Sequence, residues 1–183
     1  MNEKYELTEE FKEIETLREG WLQKIKVYRI RALRAFADVK IGDLGGFVET
    51  KQNLSNMGNA WVYGNAEVCS DARVCDNARV CGDAKVYGNA EVCGDAKVCD
   101  NANIFWCSSI GSRHATTTMF RNKDNGITVT CGCFMGTLEE FAAIVEKEHG
   151  ENIFGKEYKL LIELAKIHFG LQDETKGEEE NGI

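Results

Sequence analysis

Two basic triplets hold the side chains best suited to grip a ligand. Ser112-Arg113-His114 and Arg121-Asn122-Lys123 bring donors and positive charge into a nearly neutral stretch of chain. Gly132–Thr137 places glycines just ahead of an expected helix N-terminus, where free amides and the helix dipole favour a phosphate or carboxylate. Thr116, Thr117 and Thr118 add hydroxyls. Arg113, His114, Arg121, Lys123 and Thr137 therefore form a candidate anion-binding set, with Arg113 as the fork that can hold two oxygens at once. The competing reading pairs Arg113 and Arg121 with surface acids and makes Thr137 a helix cap only.

The cysteines offer a second chemistry. Cys131-x-Cys133 with Cys107 and His114 could compose a Cys₃His zinc set. Structural zinc uses C-x-x-C, not C-x-C, so a buried pair on a strand is expected and no metal or cofactor is assigned. A reactive cysteine beside His114 lacks a third group to orient the base. Cys69, Cys75, Cys81, Cys93 and Cys99 share one position of a repeat that Tyr63, Tyr87 and Phe105 also fill. They read as packing residues of a reducing, cytoplasmic protein rather than a disulfide scaffold. Cys75/Cys93 and Cys81/Cys99 would still be neighbours on adjacent coils, within reach of a crosslink.

The repeat that places those cysteines runs from Gly58 to Phe105: GNAWVY, GNAEVC, SDARVC, DNARVC, GDAKVY, GNAEVC, GDAKVC, DNANIF. Ala recurs every sixth residue from 60 to 102, and Val or Ile from 62 to 104. Residues two apart on a strand share a face, so Ala and Val point inward together. The residue between them points outward and is mostly charged. Gly, Ser or Asp followed by Asn or Asp then turns the chain. Single units cannot bury their inner faces alone, so stacking must supply the core. The spacing predicts a parallel coil.

This pattern resembles the hexapeptide-repeat, left-handed β-helix proteins. The resemblance implies three sixes per triangular coil of eighteen residues, left-handed winding and a homotrimer. Glu67 would then stack under Lys85, Arg73 under Glu91 and Arg79 under Lys97. The leader YRIRAL, GDLGGFVE and NLS, and the later GSR, GCF and GTLEEF, are similar to segments of a bacterial and phage group with such a leader and a C-terminal module. That narrower resemblance implies a fold and lends no chemistry.

Five segments follow. Residues 1–23 form a charged lead-in, with a short helix predicted over Glu9–Leu17 and capped by Thr8. Residues 24–57 hold a strand, Lys24–Leu33, and irregular first coils. Residues 58–105 are the β-helix. Residues 106–170 form a small α+β cap: strands Ala115–Arg121 and Ile127–Cys133 around the NKDNG turn, then two helices, giving ββαα. Thr137 and Glu140 predict a capping box; Leu138, Phe141, Ala142 and Val145 make the first helix's buried stripe. Gly150 ends that helix, and Lys156–Phe169 forms the second, with Tyr158, Leu161, Ala165 and His168 along its inner stripe. Residues 171–183 are an acidic tail expected to be disordered. The expected class is mostly β.

Charge and composition limit the function. The chain has 183 residues, net charge −8 and 43% hydrophobic residues. Residues 1–20 carry seven acids and three bases, and residues 171–183 five acids and one base, so the body between is near neutral. That leaves no basic field for duplex DNA. The acidic start does not read as a signal peptide, and no apolar run approaches the roughly 20 residues of a membrane span. Hexapeptide acyltransferases usually carry a histidine on the coil; His114, His149 and His168 all lie outside the repeats, and His149 and His168 read as structural groups at or near helix ends. The expectation is therefore a non-enzymatic, cytoplasmic homotrimer that binds a small anionic ligand or a host protein. A phage setting suggests anti-defence work by sequestering a nucleotide signal or blocking a defence protein. The alternative is an acyltransferase with His114 as base.

Overall fold

In the computed structural model, residues 3–18, 21–100 and 103–171 are described. The fold is mostly β with two helices near the C-terminus. Of the expectations above, the tail from residue 172 onward and Ala102 of the last six fall outside the described residues.

The lead-in is a strand, not a helix. β1 (Tyr5–Arg18) pairs antiparallel with β2 (Trp21–Ala32), and a bulge lies between Leu7 and Phe11. The acids that suggested a solvated helix face bases across the hairpin: Glu13 stands opposite Lys26, and Glu15 opposite Lys24. Glu10 bonds Arg29 at 2.8 Å, and Glu6 pairs with Arg31. Cross-strand pairs of opposite charge stabilise a hairpin in a way that no helical period in β1 could signal. Thr8 does accept a main-chain N–H two residues on, from Glu10, but within the bulge rather than at a helix start.

The sixes form three short parallel ladders visited in rotation. The rungs are β4 (Trp61–Val62), β5 (Glu67–Val68), β6 (Arg73–Val74), β7 (Arg79–Val80), β8 (Lys85–Val86), β9 (Glu91–Val92) and β10 (Lys97–Val98). β4 pairs with β7 and β7 with β10; β5 pairs with β8; β6 pairs with β9. Each register step is eighteen residues. The expected stacks Glu67–Lys85, Arg73–Glu91 and Arg79–Lys97 are all present. The Ala and Val of every rung from 60 to 98 are buried. Each corner turns through positive φ at the first residue of the six, which at Ser70 and Asp76 is not glycine (φ 60° and 57°).

Ile104 and Phe105 do not continue the rotation. They open β11 (Ile104–Ile110), which runs antiparallel to β12 (Ala115–Arg121). β13 (Ile127–Cys131) and β14 (Phe134–Thr137) complete a four-stranded sheet, so the cap is ββββαα, not ββαα. β11 and β14 escape sequence reading because neither shows alternation of its own; pairing with a neighbour defines them. β12 alternates instead between two cores: Phe120 joins the repeat body, while Met119 packs under the helices. α1 (Leu138–His149) and α2 (Ile153–His168) cover the outer face, with the Thr137 capping box and Gly150 at the end of α1 as expected. His168, expected on the inner stripe, is exposed and stacks at 5.4 Å on Phe105.

The first rungs need a lid. β3 (Leu44–Val48) pairs with both β2 and β5, at a longer step of twenty residues to the latter. Outward-pointing Trp61 is thereby covered, edge-on to Tyr5 and Phe36. Lys4 is fully buried there. Its amine donates to Ala60 O at 2.9 Å and Met57 O at 3.4 Å, over the Phe36 ring. Burial, helped by Arg34, lowers its pKa from 10.5 to about 8.

Two predictions follow from this packing. Val80→Asp buries an unpaired charge in the Ala/Val stack and lowers stability by on the order of several kcal/mol. Arg73→Gln, exposed on the neighbouring ladder, costs under about 1 kcal/mol; equal urea midpoints for the two variants would refute the inside/outside assignment. Lys4 is charged in both folded and unfolded chains below pH 8. Between about pH 8 and 10.5 only the unfolded chain keeps the proton, so this residue's contribution to stability rises with pH. The stability of the parent minus that of Lys4→Met should climb across that window in a pH series of urea melts; a flat or falling difference contradicts it.

Candidate functional site

The cap sheet ends in a tight hairpin, and a cleft opens beside it. β13 passes to β14 through Gly132-Cys133, with Gly132 at φ +60° and Cys133 not, as a two-residue turn beginning with glycine requires. The turn after β11 (Gly111–His114) approaches the same corner, and α1 and α2 close the other side. Between them lies a cavity of about 260 Å³. Phe134, Phe141 and Ile144 give it apolar walls, while Arg113, Glu148 and His149 supply the charged and titratable groups.

Arg113 is the cation of this cleft. Its Nη1 lies 3.6 Å from where a Cβ on Gly132 would stand, an ordinary contact distance, so the guanidinium lies against the turn. Among the described residues it makes no hydrogen bond or ion pair. At the floor, Thr117 donates to Cys131 Sγ at 3.2 Å, and the Tyr158 hydroxyl sits 3.7 Å from the same sulfur. Burial first, and then the bond to Cys131, push the Tyr158 phenol up to about 12, against the pull of Arg113. Tyr158 is thus a neutral hydrogen-bonding group at ordinary pH. His149 tilts against its ring at 5.7 Å.

The five residues singled out by sequence are not gathered in one place. Arg113 lies in the cleft beside the Gly132 turn, as proposed. His114 is exposed on its turn at φ 47° and does not line the cavity. Arg121 stands at the far end of β12, about 20 Å from Ala115 at the rise of a strand. There its Nη2 donates to Phe169 O at 2.6 Å, satisfying a carbonyl at the end of α2. Lys123 pairs with Asp95 at 2.9 Å. Thr137 accepts from Glu140 N at 3.2 Å and so serves the capping box. Sequence reading assigned His149 to a structural helix end and Tyr158 to a core stripe. Tyr158 does both jobs, facing the core and the cavity, and nothing local marks the second.

The cysteines separate likewise. Cys107, His114, Cys131 and Cys133 do not converge on a common point among the described residues. Cys81 and Cys99 are joined by a disulfide, where packing was the expected role and a crosslink only within reach. The eighteen-residue step sets their Cα atoms 4.4 Å apart, inside the range a disulfide spans. No described helix is long and apolar enough to cross a membrane. Compared with known families and curated proteins, the chain matches no family model and no curated sequence.

Gly111 holds the cleft in shape. It has φ +71°, its N–H donates to Glu157 Oε2 at 3.0 Å, and a Cβ there would overlap the Tyr158 hydroxyl. Gly111→Ala should cost about 1–3 kcal/mol from crowding, on top of backbone strain. Gly42→Ala, at φ +88° with nothing near a Cβ, reports the strain alone. Thermal melts of the two variants should differ by that crowding term; equal losses would show that Tyr158 does not depend on Gly111.

Proposed function

We propose that this protein is a non-enzymatic carrier of a small anion, held in the cap cleft by Arg113. The observation that carries the reading is a guanidinium with no partner among the described residues, lying against a glycine turn beside an apolar-walled cavity. Arginine at an exposed position normally finds an acid or costs little; here Glu148 shares the cleft yet forms no bond to it. A ligand with a phosphate or carboxylate and a flat apolar body matches both parts: the fork takes the oxygens, and Phe134 and Phe141 take the body. The volume sits just below the usual range for small-molecule pockets, roughly 300–1,000 Å³, which favours a mononucleotide-sized molecule over a larger one.

In this reading the repeats are a left-handed β-helix that serves as a rigid stalk and an assembly body, and the protein works as a homotrimer. Support for the coil comes from the eighteen-residue step and the rotation among three ladders. An apolar surface that self-association could cover lies on α2: Ile153, Leu160, Leu164 and Ile167 are exposed along one side of the helix, with exposed Leu171 just beyond its end. Sequestering a nucleotide signal is the role that the phage-like leader and cap module suggest for such a carrier. The acyltransferase alternative needs His114 as base, and that residue lies outside the lining of this cleft.

Calorimetric titration with mono-, di- and cyclic nucleotides tests the proposal. Arg113→Ala should weaken binding by roughly 1.5–3 kcal/mol, about tenfold to hundredfold, as expected for a hydrogen bond to a charged group. Arg113→Lys should restore little, since a point charge cannot reproduce the fork. Raising salt should weaken binding as well. Native mass spectrometry of the same samples reads subunit number and confirms release of unchanged ligand. Failure of the parent to bind any nucleotide would remove this reading in favour of a protein partner.

A further inference from the structure

A second cluster lies away from the cleft, where the repeat body meets the cap. Cys75 and Cys93 follow β6 and β9, two rungs of one ladder, and Cys75 N–H donates to Val92 O at 3.0 Å. The ladder therefore fixes both thiols side by side on rigid backbone. Met135, on β14, reaches back to this corner and sets its Sδ 3.9 Å from Cys93 Sγ. The sulfurs of Cys75 and Cys93 and a carboxylate oxygen of Asp76 lie within 4.8 Å of one another. Cys93 is buried, Cys75 half-buried and Met135 open to solvent, so an ion could reach the group from outside.

The corner next to it makes the contrast. Cys81 and Cys99 occupy the same position of the six, with the same eighteen-residue offset, and are joined to each other. Cys75 and Cys93 are free thiols, and only this pair has a thioether brought to it by another element. Packing alone would be served by any apolar side chain at residue 135.

We propose that Cys75, Cys93 and Met135 form a three-sulfur site for a soft monovalent metal ion of the copper(I) type. Thiolate and thioether donors select such ions over hard ones. Three sulfurs around one ion at bonds of about 2.3 Å stand about 3.8–4.0 Å apart, which the Cys93–Met135 separation already meets. On binding, each thiol releases its proton to solvent and its sulfur takes up the ion; no electron is transferred. Zinc fits less well, because it asks for four ligands. Among the described residues the carboxylate that joins the group is that of Asp76, whose Oδ2 accepts the Gly94 N–H at 2.9 Å.

The test titrates the full chain, anaerobically and with its free thiols reduced, with copper(I) buffered by a competing chelator. The parent should hold one ion at this site. Cys75→Ser with Cys93→Ser should lower that affinity by more than roughly a hundredfold, since even residues that merely support metal ligands are worth about 10–100-fold. Met135→Leu keeps the packing and should lower it about tenfold, a neutral thioether being the weaker donor. Cys131→Ser with Cys133→Ser, and Cys81→Ser with Cys99→Ser, should leave it unchanged. X-ray absorption of the loaded protein should show sulfur neighbours only, one fewer in Met135→Leu. Thermal melts of each apo variant separate loss of the site from loss of the fold. The assignment is overturned if the Cys75/Cys93 variant is folded and binds like the parent. It is overturned equally if Met135→Leu changes nothing, or if zinc binds more tightly and depends on Asp76.

Discussion

One hydrogen bond recurs through the centre of the molecule: a main-chain amide donates to the carbonyl seventeen residues further on. Trp61 reaches Ala78, Tyr63 Val80, Glu67 Ala84, Arg73 Ala90, Cys75 Val92, Arg79 Ala96 and Cys81 Val98, all at 2.7–3.0 Å. Every rung is only two residues long and would be worthless alone. The constant offset makes the rungs cooperative, since a slip by one residue would turn each inward Val outward. Small Ala and β-branched Val fill the narrow interior because nothing larger fits between corners so closely spaced. Where the offset changes to nineteen, at Phe47 to Ala66, Glu49 to Val68 and Ser55 to Val74, the sequence has left the six as well.

A stack of rungs has two open ends, and the rest of the chain answers to them. At the start, Asn53 is buried and its amide donates to both Ser70 O and Ala72 O at 2.9 Å, tying the irregular turn to the first regular ones. Lys4 and Tyr5 close over it. The Tyr5 hydroxyl donates to carbonyls at Lys51 and Leu54, and burial raises its pKa far above the ordinary 10. A buried amine is a costly plug, but it brings three N–H groups to a place where carbonyls would otherwise face a dry wall. At the other end, two threonines of the cap meet one rung residue. Glu91 N donates to Thr118 Oγ1 at 3.2 Å, and Thr130 Oγ1 to Glu91 O at 3.3 Å.

What the sequence reveals and conceals follows from the range of the interactions. The rungs, their inward faces and the stacked pairs are legible because one template repeats and its period fixes the partners. The cap helices are legible because Thr137, Glu140 and Gly150 act on their own neighbours. β1 is not legible: its acids find partners only when β2 folds against it, and no window of β1 contains those bases. β11 and β14 are hidden for the same reason. At the site, Arg113 and the glycine turn could be named from chemistry alone. Arg121, Lys123 and Thr137 could not be dismissed, because what occupies them is Phe169, Asp95 and a capping box. Two of those partners lie 48 and 28 residues away in the chain.

The distribution of free and committed polar groups is the clearest functional signal in the molecule. On the repeat body several outward charges pair with one another or with the leader: Arg79 grips Asp38 with two bonds, and Glu67 lies between Lys12 and Lys85. In the cap, most cations serve structure. Arg113 breaks that pattern, and so do the unjoined thiols of Cys75 and Cys93 with Met135 turned toward them. A stacked scaffold gains nothing from an unpaired guanidinium or from sulfur donors gathered at a seam, because its cohesion comes from backbone ladders and buried alanine and valine. An anion at Arg113 and a soft ion at the two thiols would each complete contacts that the described residues leave open.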